Sequence, residues 1–462
     1  MSTPSVVVVG GGITGLAAAR DLAIAGARVT LVEPGRVGGK LQTTAFDGGV
    51  LDEAADTFLA RVPEGLQLCR ELGLDGDLVS PASRRSYVWS RGDLRALPRG
   101  QVLGVPTDLD ELAASGIVSP EGVEAARRDL EVPLEAPEGD VAIGELFRAR
   151  LGHEVVERLV DPLVGGINAG DVDHLSLAAT VPQLDAAVRS GAGSIIAACQ
   201  AQQARATAAA PDAPVFYAPR GGMGALAQAT WRDAEARGVA LTATAATGIE
   251  RRGSAWAVAL ERGDALEADA VVVCAPAGVA ARLVRPHAAR AATLLAGIPY
   301  ASVALLSIAV DRDDVDHPLD GTGYLVPAVE GRTITACSWA SSKWAHLGGE
   351  GTVWLRASVG RDGDDRALRL DDDALLAAVL ADLRDTMALR GEPREVRIGR
   401  LPGSFPQYRP GHLQRVDAID ADLAADAPGL FVAGAALRGL GVPACIRQGR
   451  AAAARALARL DA

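Results

Sequence analysis

Residues 5–33, SVVVVGGGITGLAAARDLAIAGARVTLVE, decide the architecture. Val6 to Val9 form an unbroken apolar run, the pattern of a strand buried on both faces in a parallel sheet. Gly10, Gly11, Gly12, Ile13, Thr14 and Gly15 follow, and Leu16 to Ala25 reads as a helix that Gly26 can end. Val29 to Glu33 is the next strand, which completes one βαβ unit. A lone G-x-G-x-x-G is a weak signal. Placed between a strand and a helix, with an acid ending the second strand, it predicts a dinucleotide site. Gly10 permits the tight turn, Gly12 lets backbone approach a pyrophosphate, and Gly15 lets helix and strand pack closely. The phosphates then face the helix N-terminus, and Glu33 accepts hydrogen bonds from a ribose.

Composition bounds the remainder. The chain has 462 residues, enough for two or three domains, and apolar and charged residues at 49% and 23% are ordinary for a globular protein. A net charge of −12 offers no general attraction to nucleic acid or to an anionic membrane, so an anionic substrate needs a local cluster of cations. Only Lys40 and Lys343 are lysines, against abundant arginine and alanine, which reads as a coding bias. Five cysteines stand singly and six histidines are scattered, so neither a disulfide framework nor a metal site is expected and the setting reads as cytoplasmic. Residues 291–310 are 20 uncharged positions, long enough to span a bilayer, but Gly297 and Pro299 divide them into a helix end and a strand.

Along the chain the texture changes twice. Residues 101–211 are helical in pattern, with 107–140 expected as a solvated, loop-like stretch because it carries ten acids and two arginines. Strand-like runs return near 240–245, 256–260 and 270–274, then at 301–310, 322–327, 332–339 and 352–359 in an antiparallel-looking block. A helix over 372–389, a buried strand at 430–434 and a helix over 444–460 close the chain. The expected fold is α/β: a Rossmann-like domain (1–85, 212–290, 400–462), an antiparallel-sheet substrate domain (86–100, 291–399) and a helical insertion (101–211).

Two further segments decide which dinucleotide. Gly38-Gly39-Lys40 with Leu51 to Phe58, and Gly429 to Val442 at the far end, resemble the second glycine pair, flavin-contact segment and C-terminal flavin motif of the flavin amine oxidase superfamily. The resemblance implies FAD, held by residues 10–15, Glu33, Pro34, Gly38, Gly39, Lys40, Ala54, Ala55, Asp56, Thr57, Ala246, Gly434, Leu440, Gly441 and Val442. Ala435 stands where many relatives have an acid.

Gly165 to Asp171, Leu175-Ser176, Gly323 to Pro327, Ser341 to Trp344, Pro406-Gln407-Tyr408 with Gly411-His412, and Gly441 to Ile446 resemble protoporphyrinogen and coproporphyrinogen oxidases, over residues 5 to about 455. Asn168 departs from the tyrosine of that pattern. The composition resembles actinobacterial members, which implies oxidation of coproporphyrinogen III by O2 with release of H2O2 in haem synthesis; protoporphyrinogen IX is the alternative. The cofactor does the oxidation, so no catalytic acid or base is nominated.

Four propionates call for cations and an apolar slab. Arg61, Arg85, Arg91, Arg95 and Lys343 are candidate cations, each also readable as a solvated surface residue or, for Lys343, a structural corner. Tyr324, Leu325 and Val326 are the candidate wall, readable equally as strand core. An amine or carotenoid oxidase would need aromatic residues around the flavin, and aromatics are 4% of this chain. A non-enzymatic flavin or porphyrin carrier is the third reading. The resemblance also implies at most peripheral membrane contact through the insertion, and hand-off of product to the next haem-pathway enzyme.

Overall fold

The computed structural model describes residues 3–209, 214–349 and 351–461. Ser5–Val9 lies at the centre of a five-stranded parallel sheet in the order Ala240–Thr242, Arg28–Val32, Ser5–Val9, Ala270–Val273, Leu430–Val432. Every valine of the central strand is buried, as expected for a sheet covered on both faces. The helices Ile13–Ile24, Met223–Ala236 and Val442–Leu460 pack on one face. A three-stranded antiparallel sheet, Ala246–Arg252, Ala255–Leu260 and Leu266–Ala268, shares the core of the other.

A second sheet has seven strands in the order Glu395–Pro406, Tyr300–Asp311, Thr352–Val359, Ile334–Trp339, Gly323–Leu325, Tyr87–Ser90, Asp93–Ala96. All neighbours run antiparallel except Gly323–Leu325 and Tyr87–Ser90, which are parallel. The strand Glu395–Pro406 carries this sheet past the expected boundary at residue 400, and the expected boundary at 211–212 lies outside the described residues. The helix Asp372–Met387 covers one face through Leu375, Val379 and Leu383. Gly297 and Pro299 do separate a helix, Ala289–Ala296, from the strand Tyr300–Asp311. Among the described residues no helix is long and apolar enough to cross a membrane.

The insertion has its own core, built on Leu112, Ile117, Phe147, Leu159 and Leu184. Its acidic stretch is not loop-like at its start. Residues Leu109–Ser115 and Pro120–Arg127 are helices. The acids and serines there act as caps: Asp108 accepts from Asp110 N and Glu111 N, and Ser119 Oγ from Gly122 N. Asp129 is buried against Arg150 at 2.7 Å. Val156–Gly165 is a π-helix that ends in the Gly165-Gly166 pair.

Candidate active site

The glycine loop is built by close backbone contact. Gly10 has φ of +107° and a Cβ there would stand 2.8 Å from the Cys274 carbonyl oxygen; at Gly15 it would stand 1.8 Å from the Gly10 carbonyl oxygen. Gly12 is the opposite case, with nothing within 4 Å of a Cβ position. It is the N-cap of Ile13–Ile24, whose first N–H groups receive no side-chain cap. An open approach and free helix N–H groups fit a pyrophosphate. The Glu33 carboxylate accepts from Gly11 N at 2.7 Å and Gly35 N at 2.8 Å, which fixes it beside the loop with lone pairs to spare. Pro34, next to it, is exposed.

The second glycine pair sits directly on the first. Gly38 N donates to the Gly11 carbonyl at 2.8 Å, and a Cβ on Gly39 would lie 3.0 Å from Gly12 Cα. The Lys40 ammonium donates to the Ser404 carbonyl and lies 5.7 Å from the Phe405 ring centroid. The surrounding protein pushes its pKa down. Ala246 opens the antiparallel sheet and is buried among Val7, Val9 and Val32.

Residues 54–57 are tied down from the second sheet. Asp56 pairs with Lys343 at 2.8 Å, and Arg356 donates to the Ala54 carbonyl. Burial works to raise the Asp56 pKa, yet Lys343 and Arg356 bring it below the ordinary carboxylate value. Thr57 Oγ1 donates to the Tyr217 carbonyl at 3.0 Å. Lys343 is therefore a pinned structural cation here. Arg356 escaped notice in the sequence, although a lone charge in Thr-Val-Trp-Leu-Arg-Ala-Ser-Val signals one special position on one strand face.

At the other end, Gly434 has φ of +138° with open space beside it, and Gly441 is the uncapped N-terminus of Val442–Leu460. That helix crosses Ile13–Ile24 so closely that a Cβ on Gly449 would lie 2.1 Å from Thr14 O. Leu440 accepts from Cys445 Sγ through its carbonyl.

The candidate substrate residues separate. Tyr324 and Val326 point into the core shared with Asp372–Met387, where Tyr324 Oη is 2.6 Å from Thr386 Oγ1. This corrects the expected wall: strand alternation leaves only Leu325 on the opposite face, where Gly166 of the insertion meets it. Arg85 is engaged by Asp320 at 2.5 Å and lies over Tyr87, on that same far side. Arg91 pairs with Glu154 at 3.0 Å, and Arg95 donates to the Ser90 carbonyl. These three are surface or corner residues already satisfied. Arg61 is exposed, and among the described residues it has no acidic partner. Asn168 Nδ2 donates to the Val164 carbonyl at 2.8 Å, closing its own helical turn.

What sequence reading missed is a row across the second sheet. Leu325, Ala336, Ser358, Leu305 and Gly399 are paired in register across five adjacent strands and share one face. All five are only half-buried. At about 4.8 Å per strand the row spans roughly 19 Å, with small side chains at Ala336, Ser358 and Gly399 between and beside the two leucines. Its Leu325 end meets the insertion; a Cβ at its Gly399 end would lie 3.9 Å from the Glu53 carbonyl oxygen of the 53–57 segment.

This fold, with two glycine loops and a C-terminal loop at the carboxyl ends of the parallel strands, defines a flavin-dependent oxidoreductase. The sequence profile described as flavin containing amine oxidoreductase matches residues 13–457, and the chain belongs to that family. It is 35% identical to the coproporphyrinogen III oxidase of Bacillus subtilis, over 98% of both chains. It is 36% identical to that of Mycobacterium leprae over 100% of this chain and 99% of the relative. Protoporphyrinogen oxidase of Bos taurus is 29% identical over 98% of both. A crystal structure of an Exiguobacterium protein superposes with a TM-score of 0.88 at 30% identity, each chain fully covered.

Proposed function

We propose that this chain oxidises coproporphyrinogen III to coproporphyrin III, with O2 as acceptor and H2O2 as by-product. The observation that carries the proposal is the row from Leu325 to Gly399. It provides a wide, thin, largely apolar floor between the insertion and the 53–57 segment, the shape a macrocycle requires. The relatives bearing that activity by name match over nearly full length.

Bound in these loops, FAD would supply the acceptor for hydride from a bridging carbon of the substrate. The protein's part is placement. Gly12 and Gly441 present free N–H groups to the cofactor, and the Lys343–Asp56 pair with Arg356 holds residues 54–57 against it. The row orients the macrocycle, and Arg61, exposed and with no acidic partner among the described residues, is proposed as a cation for a propionate. The six electrons leave as three hydrides from bridging carbons; of the three protons lost, two leave net from pyrrole nitrogens and one from the fourth bridging carbon by tautomerisation, all to water, so no side-chain base is assigned. Product then passes to the next haem-pathway enzyme.

The test is purified holoprotein with reduced coproporphyrinogen III or protoporphyrinogen IX, following porphyrin fluorescence and peroxide. Turnover above autoxidation with the higher kcat/KM for coproporphyrinogen is expected. No turnover with either substrate overturns the activity, and preference for protoporphyrinogen overturns the substrate.

A further inference from the structure

The segment Pro406 to His412 takes no part in the placement described so far, and its two aromatic residues are almost completely enclosed. Tyr408 and His412 are each 3% exposed and stack with centroids 4.1 Å apart and planes 19° apart. Both point at the loop between the strand Leu430–Val432 and the helix Val442–Leu460. Tyr408 Oη donates to the Ala435 carbonyl and accepts from Gly439 N at 3.0 Å. His412 Nε2 is 2.8 Å from the Leu437 carbonyl. A carbonyl only accepts, so the ring carries its proton on Nε2; burial lowers its pKa and keeps it neutral. From the other side Gln448 accepts from Arg438 N at 3.0 Å and donates to the Gly439 carbonyl at 3.1 Å. Three buried side chains thus hold backbone groups of residues 435, 437, 438 and 439.

The same segment is gripped from behind by the helical insertion. Ser176 N donates to the Tyr408 carbonyl at 2.7 Å, and Gly411 N donates to Asp140 at 2.8 Å. Asp140 also accepts from Ser176 Oγ at 2.7 Å. A continuous set of hydrogen bonds therefore runs from Asp140 and Ser176, through Tyr408 and His412, to the loop beginning at Gly434.

We infer that Tyr408 and His412 are positioning residues for the flavin, through which the insertion that walls the substrate chamber also sets the conformation of the cofactor loop. The inference rests on the reading of residues 434–442 as a flavin-holding loop. A loop held in its binding conformation binds more tightly than one that samples it part of the time, by the inverse of that fraction. Ala435 has no carboxylate with which to grip the cofactor, so backbone geometry carries more of the binding here.

The experiment uses the full-length protein and measures FAD dissociation by flavin fluorescence, the visible flavin spectrum, and the Tm of the apoprotein. Tyr408→Phe keeps the ring stack and removes both loop hydrogen bonds; FAD should bind about tenfold more weakly, with a shifted spectrum. Asp140→Ala, in the insertion, should weaken FAD in the same direction, and the double variant should fall short of the product of the two effects. The apoprotein Tm of Tyr408→Phe should fall much less than its cofactor affinity. Tyr408→Phe with unchanged FAD affinity and spectrum, or independent effects of the two substitutions, overturns the inference. Gly441→Asp serves as the control, because it sets a negative charge at the helix N-terminus where the cofactor is read to lie. If it loses FAD while Tyr408→Phe does not, only the positioning role falls; if it binds FAD normally, the loop reading falls and the inference with it.

Discussion

Asp52 shows how one carboxyl can be held against its preference. Burial pushes it up to about 6, although Thr43 Oγ1 and Met223 N both donate to it. An acid whose pKa is raised on folding binds its proton more tightly in the native state, so stability is lost as pH rises from about 4 to about 6 and is level beyond. Asp52→Asn should remove that loss. Relative to the variant, the native protein should drop on the order of 3 kcal/mol over this window by denaturant titration at several pH values. Parallel curves would exclude it.

Lys343 belongs to the same region. Replacing it with methionine leaves Asp56 with Arg356 as its nearby cation and a hydrogen bond from Trp344, and should cost about 3 kcal/mol, while Asp56→Asn with Lys343→Met should cost less than the single change. Thermal melts of the three proteins decide this. Among the substrate cations, Arg61→Ala should raise KM for coproporphyrinogen about tenfold, and Arg85→Ala, already paired with Asp320, should leave it within twofold. Equal effects of the two would remove Arg61 from the site.

At the scale of elements, the crossing of Ile13–Ile24 with Val442–Leu460 is made by glycine. Gly449 lies in mid-helix, where glycine costs about 1 kcal/mol against alanine, so its presence there signals packing. The Thr14 carbonyl oxygen, 2.1 Å from where its Cβ would be, is the reason. Gly449→Val should destabilise the protein by about 3 kcal/mol and release FAD, because both helices begin at the loops proposed to hold the cofactor. A near-native Tm and flavin content would contradict this. Periodicity and punctuation placed most elements within a few residues, including the division at Gly297 and Pro299. The stretch 107–140 is helical up to residue 130 and loop-like only beyond it, because its acids are not all solvated: Asp108 caps a helix and Asp129 is buried under Arg150. Alternation likewise could not say which face of Gly323–Leu325 meets the insertion, since Tyr324 and Leu325 are both apolar enough for a core.

At the scale of the molecule, the segments proposed to hold the cofactor, 10–15, 38–40, 54–57 and 434–442, come from both ends of the chain and are held partly by the second sheet. FAD should therefore stabilise the whole structure: at a free concentration about a hundredfold above Kd, holo and apo proteins should differ by about 2.7 kcal/mol, seen as a higher Tm by calorimetry. A Tm independent of FAD would mean that these segments do not share one ligand.

The local chemistry was legible in the chain itself. Gly10 and Gly15 are chosen by backbone clearance, and Gly12 and Glu33 are recognised by strand-helix order, all within 30 residues, and such constraints leave their mark on sequence. The tertiary structure alone decided which cations are free and which are engaged, since the acid facing Arg85 is Asp320 and the acid facing Lys343 is Asp56. It alone also assembled the row from Leu325 to Gly399 and the chain of hydrogen bonds from Asp140 to the Gly434 loop. Pairings across five strands or several hundred residues depend on register and packing, which no single stretch of sequence contains.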